Sequence, residues 1–448
     1  MNAPVNPDKP AGKVTPMMAQ YLGIKSETGD DTLLFYRMGD FYELFFNDAV
    51  IAAEALDIAL TKRGKHQGED IAMCGVPVHA AETYLQRLIK KGFRVAVCEQ
   101  TESPADAKKR GYKAVVRREV VRTVTPGTLT EDTLLDARGQ NYILAIARSL
   151  TGDFAIAWAD ISDGQFHVCD VPEDRLASEL AALSPRELIL PESLYQMADL
   201  LQSFPVPASA YTPLPATKFD HRSCERRLTD RFNVASLDGF GAFSKVEISA
   251  AGALLDYLEL TQAGNPVQLS PPSRRAASGF MAIDPATRAS LEIDRSQQGR
   301  RADSLLGVID KTITGAGARC LADRLSRPLL DTEIINQRLD GVEYFVNERE
   351  RRETLRSALK ETGDMARAIS RIALGRGGPR DMLTVGLGLQ KGGSIRDRLL
   401  QNLEGDIPQA ITRALAALDL NAQADLLGLA EDISKAFKPD VPMLCRAG

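Results

Sequence analysis

The sequence predicts a multidomain chain: a mixed α/β domain, a second α/β domain, then an all-α domain. Three observations carry that prediction. Residues 15 to 127 alternate short apolar, strand-like runs with stretches of helical spacing. From Asn141, three strand-like runs separated by turn signals precede a further alternation of helices and strands. After Ser278 the apolar spacing is almost only helical to the end.

Composition sets the outer limits. The 448 residues suffice for about two to four domains with sizeable cores. No apolar run is long enough to span a bilayer. The polar, Pro-rich stretch Met1 to Lys13 lacks the apolar centre of a secretion signal. A cytoplasmic protein with no membrane partner is therefore expected. The six cysteines (Cys74, Cys98, Cys169, Cys224, Cys320, Cys445) are scattered, with no CxxC pair. That points to reduced thiols and away from structural zinc. A formal net charge of -5 does not advertise a polyanionic partner. The distribution is more telling, because Thr61 to Arg122 holds fourteen Lys/Arg against seven Asp/Glu. Such a local excess fits a phosphate-facing surface or an ordinary solvated face.

The elements follow in order. Residues 1 to 14 read as disordered. Thr15 can cap a helix that Gly23 can end. Thr32 to Met38 reads as a strand, and Gly39-Asp40 as a turn. Phe41-Tyr42-Glu43-Leu44-Phe45 then leads into a helix from about Asn47, with Ala49 to Leu56 supplying its packing face. With extended backbone at that junction, Phe41 and Glu43 point to one side. Ile58 to Thr61 and Ile71 to Cys74 read as short strands, Ala80 to Lys91 as an amphipathic helix stopped by Gly92, and Phe93 to Cys98 as a strand. This domain is expected over 15–127, followed by a linker over 128–139.

The second domain is expected over 140–265. Its strands are Tyr142 to Ala147, Phe154 to Asp160, Gln165 to Cys169 and Glu187 to Leu190. Its helices lie near Leu176 to Leu183, Ser193 to Ser203 and Ser244 to Leu260. Three antiparallel strands followed by alternating helices and strands form the pattern of a ribonuclease H-like domain. Gly264 to Ser278 is rich in Pro, Ser and Arg and reads as a linker, bounded at 266–279. The helical domain fills 280–448.

Four aromatics in six residues, Phe41, Tyr42, Phe45 and Phe46, ordinarily mean core. The neighbourhood points elsewhere. Phe35-Tyr36-Arg37-Met38-Gly39-Asp40-Phe41-Tyr42-Glu43-Leu44-Phe45 resembles the mismatch-reading segment of the MutS family of DNA mismatch repair proteins. The likeness continues through Leu56-Asp57-Ile58, Leu60-Thr61-Lys62-Arg63-Gly64, and Gly75-Val76-Pro77 with His79-Ala80. It recurs in Val95-Ala96-Val97-Cys98-Glu99-Gln100 and Val124-Thr125-Pro126-Gly127-Thr128. In the helical part it includes Asp284, Thr287, Arg288, Leu291 and Glu292, then Ser304-Leu305-Leu306, and Thr314 with Gly317 and Arg319. Pro328-Leu329, Arg371 to Leu374 and Gly377-Gly378-Pro379-Arg380-Asp381 close the series. Arg324 departs from it, standing where many family members have Trp.

The resemblance implies a mismatch-recognition domain, a ribonuclease H-like connector and a helical lever, which make up the first half of the family. Phe41 is then the ring that wedges into the base stack, and Glu43 accepts a hydrogen bond from the displaced base. Lys62, Arg63, His79 and Arg122 are further candidates for phosphate contact, with a solvated surface side chain as the alternative. The implied partners are mismatched double-stranded DNA, MutL docking on the connector, and full-length MutS. Bound to DNA, the protein would be associated with the bacterial nucleoid.

ATP and Mg belong to an ATPase domain of the family. This chain has no G-x-x-x-x-G-K-[ST] cradle, and Gly375-Arg376-Gly377-Gly378 is not followed by Lys-Ser/Thr. No cofactor and no ATPase activity are therefore expected of it. The last residues, Arg446-Ala447-Gly448, form no evident closing element, as in a truncated gene product without the family's clamp.

Two other readings stay open. A MutL-docking fragment without DNA binding of its own is one. A ribonuclease H-like nuclease is the other, with Asp160 at a strand end as one acid. Asp153, Asp163 and Asp170 are turn or strand-end residues, so no convincing second and third ligand appears. His66, His167 and His221 are isolated, and no metal or catalytic set is expected.

Overall fold

The structure, a computed structural model, describes residues 15–111, 114–401, 406–422, 424–438 and 441. The stretch 1–14, Cys445 and Arg446-Ala447-Gly448 lie outside the described residues. Contacts divide the chain into two units. One holds the described residues up to Thr128 with Glu259–Gly264; the other holds Leu129–Leu258 with Asn265 onward.

The first unit begins with α1 (Pro16–Thr28), capped by Thr15, whose hydroxyl accepts from the Met18 N–H. Gly23 does not end it. The helix runs on to Gly29, whose φ of +83° makes the left-handed exit that glycine tolerates. Then come β1 (Thr32–Met38), β2 (Phe41–Phe45), α2 (Phe46–Leu56), β3 (Thr61–His66) and β4 (Glu69–Pro77). α3 (Ala81–Lys90), β5 (Arg94–Gln100), α4 (Pro104–Lys109) and β6 (Arg118–Val124) complete the unit. The strand expected over Ile58 to Thr61 begins only at Thr61, and Ile71 to Cys74 is the middle of the longer β4. A single 3-10 turn, Val78–Ala80, precedes α3.

The six strands lie in the order β3-β4-β2-β1-β5-β6. Residues paired across neighbouring strands share a face. One face carries Leu34, Tyr36 and Phe45 beneath Met18 and Tyr21 of α1. Tyr21 meets Tyr36 and Phe45 edge-on, with centroids 5.4 and 5.0 Å away. The other face is covered by α2 and α3, which contact β1, β2, β4 and β5. Asp48, in the first turn of α2, is buried. It accepts from the Leu34 N–H at 2.9 Å and pairs with Lys25 at 2.9 Å, tying α1, β1 and α2 together.

The second unit contains β7 (Ile143–Arg148), β8 (Phe154–Asp160), β9 (Gln165–Val171), α5 (Glu173–Leu183) and β10 (Glu187–Pro191). α6 (Glu192–Tyr195) and α7 (Ala198–Gln202) replace the single helix expected over Ser193 to Ser203. β11 (Tyr211–Leu214), α8 (His221–Phe232), α9 (Lys245–Thr261) and β12 (Ser273–Arg274) follow. The sheet order is β11-β10-β7-β8-β9-β12, with a core on each face. The expected linker Gly264 to Ser278 is not loose chain. Ser273 and Arg274 pair with His167 and Val168 at the sheet edge, and Arg274 bridges Asp170 (2.8 Å) and Glu247 (2.9 Å).

Nine helices follow in the described part of the chain: α10 (Pro285–Ser290), α11 (Leu305–Ile309), α12 (Gly315–Ser326), α13 (Thr332–Asn347), α14 (Arg349–Leu359), α15 (Met365–Ala373), α16 (Pro379–Leu400), α17 (Gln409–Ala417) and α18 (Ala424–Ala436). Several residues quoted in the sequence motifs prove to be caps. Asp284 accepts from the Thr287 N–H, Ser304 from Gly307 and Thr314 from Gly317, at 2.9, 3.2 and 3.0 Å. Each such cap stabilises its helix by about 1 kcal/mol. Arg324 is exposed on α12.

The segment expected as a linker over 128–139 is fastened instead. The carbonyls of Asp136, Ala137, Arg138 and Gly139 accept in turn from Arg367, Arg319, Arg301 and Arg367 again, at 3.0, 3.0, 3.0 and 2.9 Å. Gly315 sits against this strap so closely that an added Cβ would meet the Ala137 oxygen at 2.5 Å. Among the described residues, no helix is long and apolar enough to cross a membrane.

Candidate nucleic-acid interface

The open end of β2 is built by alternation. Tyr42 and Leu44 point into the core beneath α2, and Phe45 packs under α1. Phe41 and Glu43 share the α1 face of the sheet with their β1 partners Met38 and Tyr36. Towards Phe41 that face opens to solvent, and the residue is 47% exposed. The aromatic cluster thus divides: Tyr42 and Phe45 are core, Phe46 is half-buried, and Phe41 is not core. A single exposed apolar side chain is ordinary in itself; what sets Phe41 apart is the acid beside it on the same face of the strand.

The floor beside the ring is bare. Gly75 of β4 lies across from Glu43 and Pro77 across from Phe41. An added Cβ on Gly75 would lie 3.8 Å from both the Glu43 Cγ and the Phe41 Cδ1. No side chain from β4 therefore stands between the ring and the acid.

The basic candidates separate by face. Arg63 reaches back across β4 and forms an ion pair with Glu43. A bulge between Lys62 and Lys65 sets its direction, with Gly64 at φ +74°. Lys62 pairs with Ala72, on the face away from Phe41, and is held by Asp70 at 3.0 Å. Arg122 pairs with Val97, whose β1 neighbour is Phe35, so it too lies on the opposite face and on the far edge strand. His79 is exposed two residues beyond Pro77, the partner of Phe41. The structure therefore brings Phe41, Glu43 and Arg63 together with His79 nearby, and leaves Lys62 and Arg122 elsewhere. Gly75 stood in a quoted motif, but nothing in its type marked it as the floor of this surface.

Asp160 is committed to its own turn. Its carboxylate accepts from the Asn141 N–H (2.8 Å) and from the Ser162 N–H (2.9 Å) and hydroxyl (2.6 Å). Asp163 beside it is pushed well above the ordinary carboxyl range by burial and by the Asp160 charge. Among the described residues, no group of three or more His, Cys, Asp or Glu is arranged to hold a metal ion.

Comparison with known proteins matches all three regions of the chain. MutS domain I covers residues 15–133, MutS domain II 141–271 and MutS domain III 286–446. The chain belongs to the MutS family. It is 53% identical over 437 residues to the DNA mismatch repair protein MutS of Ruegeria pomeroyi, and 51% identical over 436 residues to that of Cereibacter sphaeroides. Each match takes in 97% of this chain and 48% of the relative, so the chain spans about half the length of these curated MutS proteins. The exposed ring and its neighbouring acid both lie within MutS domain I.

Proposed function

We propose that this chain recognises mismatched base pairs in duplex DNA, with Phe41 as a wedge and Glu43 as the acceptor for a displaced base. The observation that carries this reading is the exposed Phe41 ring on one face with Glu43, at the open end of a strand whose Tyr42, Leu44 and Phe45 are buried. A mispair stacks and pairs less well than a Watson-Crick pair. Inserting a ring costs a few kcal/mol of unstacking, and that cost is smaller at a mispair. Kinking selects the more deformable site in the same way. Discrimination by deformability suits a protein that must accept many different errors.

The second domain supports a ribonuclease H-like connector: β7, β8 and β9 are antiparallel, while β10 and β11 add in parallel beside β7. The helices from α10 onward are proposed as the lever. Docking of MutL on the connector, contact with full-length MutS and residence at the nucleoid rest on the family resemblance alone.

The test is a titration of homoduplex against a single G·T duplex at two salt concentrations. The parent should prefer the mismatch. Phe41→Ala should abolish that preference and leave weak, salt-sensitive duplex binding. A variant that still prefers the G·T duplex as strongly as the parent overturns the assignment.

A further inference from the structure

We propose that Arg63 sets discrimination by changing partner: it masks Glu43 on intact duplex and leaves it for a phosphate at a mispair. This rests on the reading of Phe41 and Glu43 above. The pair joins β3 to β2 across the bare floor at Gly75. Its two ends differ in exposure, with the Glu43 side chain 15% exposed and the Arg63 side chain 44%. The acid is sheltered while its counter-ion is open to an approaching polyanion. The other cations of the hairpin are held differently, since Lys62 and Lys65 share Asp70, at 3.0 and 3.9 Å.

Exchange at such a pair is easy. A solvent-exposed ion pair contributes little in water, and the guanidinium fork fits a phosphate as well as a carboxylate. What decides the exchange is the fate of Glu43. A bare carboxylate near phosphates repels the duplex. On intact DNA no base is displaced, Glu43 gains nothing by release, and the pair stays closed and neutral. At a mispair the displaced base offers a donor to Glu43. Arg63 is then free to take a phosphate, and every charge keeps a partner in both states.

The experiment is a double-mutant cycle on the full chain. Parent, Arg63→Ala, Glu43→Gln, the double variant and Arg63→Lys are titrated on homoduplex and on a single G·T duplex. With both duplexes titrated at two salt concentrations, Arg63→Ala should weaken homoduplex binding about threefold when Glu43 is present, by baring the acid, and leave the salt slope unchanged; in the Glu43→Gln background Arg63 is free to take a phosphate, and Arg63→Ala should lower that slope by about 0.9. On the G·T duplex the two substitutions should act independently. Arg63→Lys, which keeps the charge, should retain most of the homoduplex affinity. A homoduplex salt slope that Arg63→Ala lowers by about 0.9 with Glu43 present overturns the exchange and makes Arg63 a simple phosphate contact. A parent with no mismatch preference overturns the reading beneath it, a result distinct from the first because the coupling is read on homoduplex alone.

Discussion

Gly75 faces Glu43 across the antiparallel pair of β4 and β2, and its missing side chain leaves the acid and the Phe41 ring with nothing between them. Gly75→Val tests this. An added Cβ meets Glu43 and Phe41 at 3.8 Å, an ordinary contact, and β-branched residues suit strands. The variant should fold, with a Tm within about 3 °C of the parent. Its two methyls would fill the space a displaced base must enter. Preference for a G·T duplex over homoduplex should fall at least about fivefold, read by titration. An unchanged preference with a normal melt would show that the floor is not part of the reading surface.

What was legible depended on burial. β1 and β8 have the predicted limits because each is an apolar run with both faces covered. β3 begins later than the sequence predicts because Thr-Lys-Arg-Gly-Lys-His is an edge strand with five of its six residues exposed, and so shows no apolar alternation. β12 hid in linker-like composition, and what fastens it is the pairing of Arg274 with Asp170 and Glu247, distant in sequence. Gly23 reads as a stop, yet an added Cβ there would meet nothing within 4 Å beyond its own helix, and the helix passes through. In the candidate site, the common face of Phe41 and Glu43 follows from their i, i+2 spacing. The partner of Glu43 does not. Arg63 is twenty residues away, and although Gly64 marks a bulge, the sequence does not say which way that bulge turns Arg63.

Asp48 should dominate the stability of the first unit. Its carboxylate serves both the Leu34 N–H and Lys25 from a buried position. Asp48→Ala strands the buried Leu34 N–H and leaves the Lys25 ammonium only the Thr32 carbonyl, at 2.6 Å, and should cost about 3 kcal/mol. Asp48→Asn keeps an acceptor for Leu34 but loses the charge, and should cost less. Urea unfolding monitored by a probe in residues 15–128 measures both. Equal, small losses would mean that Lys25 is well solvated without its partner.

His167 predicts a pH dependence. Its ring packs against Trp158, centroids 5.3 Å apart, and its Nδ1 lies 2.6 Å from the Ser273 hydroxyl. Burial, with Arg275 and Arg327 nearby, pushes its pKa down to about 3. The folded imidazole is therefore neutral, whereas the unfolded one titrates near about 6.5. The unfolded chain takes the proton first, so this contribution is complete above that value and is lost as pH falls from about 6.5 towards 3. Between pH 6.5 and 5 the loss should be about 1–2 kcal/mol. Asp163, whose carboxyl is raised, contributes with the opposite sign, so the difference between parent and variant isolates the histidine. His167→Gln should flatten the stability profile in this window, measured by denaturant unfolding at each pH. Parallel parent and variant profiles would refute the assignment.

The strap over residues 136–139 yields the last prediction. Arg367 is nearly fully buried and donates to two of its carbonyls, while Arg319 and Arg301 hold the two between them. Hydrogen bonds from a charged donor are among the stronger ones, and removing both from Arg367 strips the Gly139 carbonyl of that donor and leaves the Asp136 carbonyl only the Gly139 N–H, at 3.2 Å. Arg367→Ala should cost about 2–4 kcal/mol and loosen the strap before the whole unit unfolds. Arg138 lies within the strap and is held to Asp310 and Thr312, at 2.7 and 2.8 Å, so trypsin reaches its peptide bond only through local opening. Cleavage after Arg138 should therefore quicken about tenfold or more in the variant, read by mass spectrometry of early fragments. Arg367→Lys, whose single ammonium cannot serve both carbonyls in fork geometry, should fall between. If cleavage after Arg138 keeps the parental rate while the variant is globally less stable, the strap is held by its other arginines, and Arg367 acts on the helical core instead.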